Sequence, residues 1–138
     1  MRRRKPLVLS SRVLCRLHNA ALKAQVEHRE VCGLLSVSED GEIGIHFLRN
    51  ESDREGTYQV SMERVYSAER ALHRRGLKVL GSFHSHPVSE AVPGKGDLEK
   101  GFLHDHELIY DVCGREARLW RRISPKRARE EFFSVKPG

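Results

Sequence analysis

The chain has 138 residues, with 25 Lys and Arg against 19 Asp and Glu, and a formal net charge of +6. That length holds one domain with a real core, and 38% hydrophobic residues together with 11 Gly is ordinary for a soluble globular protein. No apolar run reaches the ~20 residues of a membrane span, and three widely spaced cysteines, Cys15, Cys32 and Cys113, exclude a disulfide framework or a Cys-based zinc module. A reducing, cytoplasmic setting is expected. The Met1 to Lys5 start is basic, but Arg12 interrupts the short apolar stretch after it, so no export signal is expected. Much of the positive charge lies in two clusters, Arg2 to Lys5 and Arg121, Arg122, Lys126, Arg127 and Arg129. Neither has interleaved aromatics, so they read as solvated ends, and neither nucleic acid nor membrane is expected as a partner.

In chain order, Pro6 to Leu9 predicts a first strand, and Ser10 or Ser11 a helix cap. Val13, Leu14, Leu17, Ala20, Ala21 and Ala24 recur at helical spacing and predict an amphipathic helix ending between Gln25 and His28. Glu30 to Val37 reads as a buried central strand. Ser38 to Gly41 is a hairpin turn, and Ile43, Ile45 and Phe47 alternate on the return strand. Asn50 to Gly56 is a polar loop, with a short strand predicted at Thr57 to Val60. Ser61 caps a second helix with Val65, Ala68 and Leu72 inward, and Gly76 stops it. After the Leu77 to Leu80 strand and its loop comes a short helix, about Asp97 to Leu103. Residues 107–112 and 116–121 predict a final hairpin, and Phe132 to Val135 an added edge strand. The order predicts a single mixed α/β domain over residues 1–138, its core at about 6–122.

Gly81 to Asp97, GSFHSHPVSEAVPGKGD, concentrates the chemistry. His84 and His86 continue a strand two residues apart, so their side chains share a face. Pro87 ends the strand, and Asp97 stands where a helix starts. Two imidazoles and a carboxylate are three candidate ligands for one zinc, leaving a fourth position for water as in a catalytic site. His104-Asp105-His106 repeats the His-x-His spacing, but at an expected turn, where side chains two apart diverge. Glu30 is the candidate proton acceptor, a carboxylate just ahead of an apolar strand. Spacing alone does not separate it from Glu27 or Glu39.

Glu30-Val31-Cys32-Gly33-Leu34-Leu35, followed by His84-Ser85-His86-Pro87 and Asp97, resembles the JAMM/MPN metalloprotease family in its stand-alone prokaryotic form. Asn50, the Val60-Ser61 helix start and the Leu77 to Gly81 lead-in extend the similarity over roughly residues 6 to 122. The resemblance implies a cytidine-deaminase-like fold, a curved mixed sheet flanked by two long helices and a short one. It implies Zn2+ on His84, His86 and Asp97, with Glu30 activating the water. It implies hydrolysis of the amide or isopeptide bond after the Gly-Gly tail of a ubiquitin-like or sulfur-carrier β-grasp protein, the tail lying along a strand edge. Gly94 stands where the family pattern has a Ser that stabilises the oxyanion. Gly94 has only its backbone amide to offer there, and Ser85 or Ser89 are the nearby hydroxyls. The alternative is therefore a zinc-binding interaction module with weak or no turnover. Cys32, on the strand face of Glu30, reads as a neighbour of the metal or as a small buried residue.

Overall fold

A computed structural model describes residues 5–55, 57–98 and 104–138. Strand β1 (Val8–Ser10) runs straight into helix α1 (Ser11–Val26). The turn between them is sharp because the Ser10 hydroxyl accepts from the Val13 amide at 3.1 Å, which satisfies a free donor of the first helical turn. Strands β2 (Cys32–Val37) and β3 (Ile43–Leu48) form the expected hairpin, its turn closed by Gly41 at φ +83°. Ser61 caps helix α2 (Met62–Arg74), and Gly76 at φ +74° follows it, a conformation that costs glycine little. Strand β4 is Lys78–His86, β5 His106–Asp111, β6 Glu116–Ser124, β7 Arg127–Glu131 and β8 Ser134–Lys136.

Six strands form one mixed sheet in the order β3-β2-β4-β5-β6-β7. The β4–β5 pair is parallel and the other neighbours are antiparallel. Adjacent residues of β2 enter different cores. Leu35 joins Leu9, Leu17, Ala21, Phe83, Leu108 and Tyr110 on the α1 side. Leu34 joins Val65 and Leu72 on the α2 side. The two helices therefore cover opposite faces, each burying the stripe its periodicity marked. Cys32, Ser82, His84 and Glu107 share the α2 face through the β2–β4 and β4–β5 registers. Among the described residues no helix is long and apolar enough to cross a membrane.

Four expectations need correction. Thr57 to Val60 is not a strand but extended loop, held by side chains described below. The 127–131 stretch, which carries Arg127 and Arg129 of the second basic cluster beside Glu130 and Glu131, is not a solvated tail. It is edge strand β7, paired along β6, with Arg118 donating to Glu130 at 2.6 and 3.0 Å. The last strand begins at Ser134, not Phe132, and pairs in parallel with β1 in a separate two-stranded sheet. The short helix expected over Asp97 to Leu103 starts at Lys95, where the Leu98 amide bonds the Gly94 carbonyl at 3.1 Å. Residues 99–103 lie outside the described residues.

Candidate metal centre

Strand β4 carries the site at its C-terminal end. His84 is fully buried and His86 nearly so, on one face of the strand as their spacing requires. The loop after Pro87 brings Asp97 back over them. The Nε2 atoms of the two histidines lie 3.1 Å apart. Asp97 places Oδ1 3.0 Å from Nε2 of His84 and Oδ2 3.0 Å from Nε2 of His86. Among the described residues this is the group of three or more His, Cys, Asp or Glu side chains able to hold one ion.

The far side of each ring decides the fit. His84 Nδ1 lies 2.6 Å from the Glu107 carboxylate, and His86 Nδ1 lies 2.7 Å from the Glu90 carbonyl. Both partners can only accept when Glu107 is ionised, so each Nδ1 carries the proton and each Nε2 lone pair faces the cluster. That is how metal-binding histidines are oriented by their outer partners. Nitrogen and carboxylate donors of this kind suit zinc. The charges agree. Burial works against a charged His84, but the Asp97 and Glu107 carboxylates outweigh it and raise its pKa to about 10. Burial would raise Asp97, yet when protons stand on the two Nε2 atoms in place of an ion, His84 and His86 donate to it and hold it well below the usual carboxylate range. This is a position that favours positive charge, where a metal ion competes with protons.

Glu107 was not singled out by sequence reasoning as a site residue. It is fully buried in β5, opposite Ser82 of β4 in the parallel register, and Ser82 donates to its other oxygen. Burial raises its pKa, while the His84 and Ser82 bonds partly offset that rise. The available signal was a lone acid leading an apolar run, the same cue that marked Glu30. Replacing Glu107 with Gln removes the charge but keeps the size. Zinc affinity is expected to fall by about 10- to 100-fold, read by titration against a competing chelator. Unchanged affinity would leave Glu107 without a part in holding the metal. Tyr58 was also missed. Its ring stacks on His84, with centroids 4.9 Å apart and planes 26° apart.

Glu30 precedes β2 and is buried. Cys32 pairs with His84 across the antiparallel ladder, so continuing the register by two residues sets Glu30 opposite His86. Burial pushes its carboxyl up to about 7, against the pull of His84 and His86. Gly33 completes the Glu-x-x-Gly motif for a steric reason. A Cβ there would stand 2.1 Å from the His46 carbonyl oxygen and 2.7 Å from the Phe83 ring. Cys32 is buried with its thiol toward the Leu48 carbonyl at 3.7 Å, and burial pushes its pKa to about 12. It is a packed thiol next to the site, not a thiolate donor.

Ser85 lies on the opposite strand face from the two imidazoles. Its hydroxyl accepts from the Val31 amide at 2.9 Å, and its amide donates to the Val31 carbonyl at 3.0 Å. It therefore fixes the backbone beside Glu30. Ser89 is exposed. The Gly94 amide, all that this residue has to offer in place of a hydroxyl, donates to Asp97 Oδ2 at 2.8 Å and so orients that carboxylate. The second His-x-His separates. His104 pairs with Glu69 at 2.9 Å, and His106 turns to Glu131.

The family of prokaryotic homologs of the JAB domain matches residues 10–123. A desampylase of Pyrococcus furiosus is 31% identical over 70 residues, 51% of this chain and 50% of that protein. A desampylase of Haloferax volcanii is 28% identical over 93 residues, 65% of this chain and 66% of that protein. The matches thus span half to about two thirds of those relatives. A Desulfitobacterium hafniense protein of known solution structure superposes with a TM-score of 0.76 at 19% identity, over 96% of this chain and 94% of that one. A JAB1/MPN domain protein from Archaeoglobus fulgidus gives 0.58 at 20% identity, over 94% and 96%. With Glu30, Gly33, His84, His86 and Asp97 in one constellation and residues 10–123 matched, the chain belongs to the prokaryotic branch of the JAB (JAMM/MPN) domain family.

Proposed function

We propose that this protein is a zinc-dependent hydrolase that cuts the amide or isopeptide bond after the C-terminal Gly-Gly tail of a ubiquitin-like or sulfur-carrier β-grasp protein. The observation that carries this reading is the convergence of His84, His86 and Asp97 with both imidazoles oriented from behind. The relatives named desampylase support a hydrolase acting on a ubiquitin-like partner.

His84, His86 and Asp97 hold the ion. Zinc, when bound, lowers the pKa of water to about 7 and polarises a carbonyl. Glu107 and the Glu90 carbonyl keep the two rings aimed, and the Gly94 amide aims the Asp97 carboxylate. Glu30 accepts the proton of the attacking water and hands it to the leaving amine. A carboxyl with a pKa near 7 suits both halves of that task. A perturbed carboxylate beside a metal cluster also favours an enzyme over a binding module, which needs no base.

The test uses a β-grasp protein joined through its terminal glycine to a lysine amine. Release of the free β-grasp protein is expected, lost on chelation and restored by zinc. A wild type that binds zinc yet leaves such conjugates intact would replace this reading with the binding module. In the same assay Gly94→Ser is expected to raise kcat, up to the ~10²–10³ of one oxyanion donor, with KM little changed. The backbone permits it, since Gly94 is not among the positive-φ glycines and a Cβ there meets Asp97 Oδ2 at an ordinary 3.7 Å. An unchanged kcat would show that the hydroxyl adds nothing at this position.

A further inference from the structure

The side chain of Asn50 ties the loop between β3 and α2 to the site. Asn50 donates from Nδ2 to the Glu30 carbonyl at 3.0 Å and to the Thr57 carbonyl at 3.0 Å. Its Oδ1 accepts from the amides of Ser52 at 2.9 Å and Gln59 at 3.1 Å. All four partners are backbone groups of fixed donor or acceptor role, so the orientation of the amide is unambiguous. Two of the four, Thr57 and Gln59, flank Tyr58, whose ring stacks on His84. The residue before Glu30 grips the same loop. Arg29 Nη2 donates to the carbonyls of Asn50 at 2.8 Å and Ser52 at 2.7 Å.

We propose that Asn50 is a positioning residue that locks the backbone of Glu30 and the Tyr58–His84 stack into one unit. This rests on the reading of Glu30 as general base. Glu30 lies between the end of α1 and the start of β2, where Ser85 holds the backbone at Val31 and Asn50 holds the Glu30 carbonyl itself. The Thr57 to Val60 stretch likewise lacks a strand ladder, although Gln59 accepts from the Glu51 amide at 2.7 Å. One amide group spans both irregular segments. It couples the base to the face of a metal ligand, so that a shift in one moves the other. Misplacing a catalytic group by about 1 Å costs on the order of 10² in rate.

Asn50→Asp keeps the shape and the acceptor but sets a carboxylate against two carbonyls. Asn50→Ala removes all four bonds. Both are measured as zinc-loaded protein, with folding checked by circular dichroism. One readout is the kcat and KM split on the β-grasp conjugate. The other is independent of activity, the ring-current shift that Tyr58 imposes on the His84 ring protons in NMR spectra. Tyr58→Leu marks the value without the stack, and Tyr58→Phe is expected to retain the shift. Both Asn50 variants are expected to lower kcat by about 10- to 100-fold with KM nearly unchanged. Their His84 protons are expected to move toward the Tyr58→Leu position. Variants that lose thermal stability but keep kcat and the ring-current shift would overturn the proposal, reducing Asn50 to a loop staple. If the wild type cleaves nothing while Asn50→Asp still releases the stack, the hydrolase reading fails and the Asn50 coupling stands. If Asn50→Ala is unfolded, the isosteric Asn50→Asp decides by the same two readouts.

Discussion

Glu30→Gln is expected to lower kcat by about 10²–10⁴, the usual share of a positioned general base, while one zinc per chain stays bound. Gln keeps the size of the side chain and takes away its proton affinity, so a site that needs Glu30 only as a base keeps its metal. Loss of zinc in this variant would make Glu30 a ligand. The wild-type pH profile checks the same assignment. Activity requires ionised Glu30, so kcat/KM falls as pH drops through the pKa of this group. Burial sets that value to about 7, and a bound cation pulls it back toward 4.5. The acid limb is therefore expected between those limits. Stability supplies a further sign. In metal-free protein the raised pKa means the folded state binds more protons than the unfolded between 4.5 and about 7, so stability falls as pH rises through that window. Glu30→Gln abolishes this fall, on the order of 3 kcal/mol for such a shift. The variant is expected to be slow and, in metal-free protein above pH 7, more stable than wild type.

His84→Ala is expected to remove zinc and destabilise the fold together. The ring occupies a fully buried position with an acceptor on each side, Glu107 at 2.6 Å and Asp97 at 3.0 Å. Without it only two of the three ligands remain, and the Glu107 carboxylate is left buried with Ser82 as its other partner. Removing one member of a buried charged pair costs about 3–5 kcal/mol, a fall in Tm on the order of 10 °C for a chain of this size. Metal analysis and thermal unfolding in chelator check the two halves separately. Equal zinc in the variant and the wild type would eliminate the proposed site. Normal zinc loss without a stability change would show that Glu107 escapes the cost, by taking up a proton as its raised pKa allows.

Much of the fold was legible because its signals are local. Ser10 and Ser61 cap the helices they precede, and Gly41 and Gly76 take the positive φ their turns require. The α1 and α2 stripes point into the cores their periodicity implied. Strand β7 was not legible, because an edge strand of Arg127, Ala128, Arg129, Glu130 and Glu131 has no apolar alternation. Its strand state comes from the ladder to β6 and from Arg118 reaching Glu130. The Thr57 to Val60 stretch misled in the opposite direction. Its β-branched and aromatic residues favour extended backbone, but among the described residues no strand pairs with it.

The sequence by itself determined the cluster of His84, His86 and Asp97, because two-residue spacing on a strand puts both imidazoles on one face and Pro87 ends that strand. It also determined that Glu30 and Gly33 belong to the same motif, through the family resemblance. Only the tertiary structure decided what surrounds them. Glu107 reaches His84 because β4 and β5 pair in parallel with Ser82 opposite Glu107. Tyr58 stacks on His84 from a loop that Asn50 bonds to the Glu30 carbonyl. The role of the Gly94 amide, spent on Asp97, follows from how the loop folds back after Pro87. Ligand spacing is a property of one strand, whereas orientation of the ligands depends on partners brought in by long-range register, which no local pattern encodes.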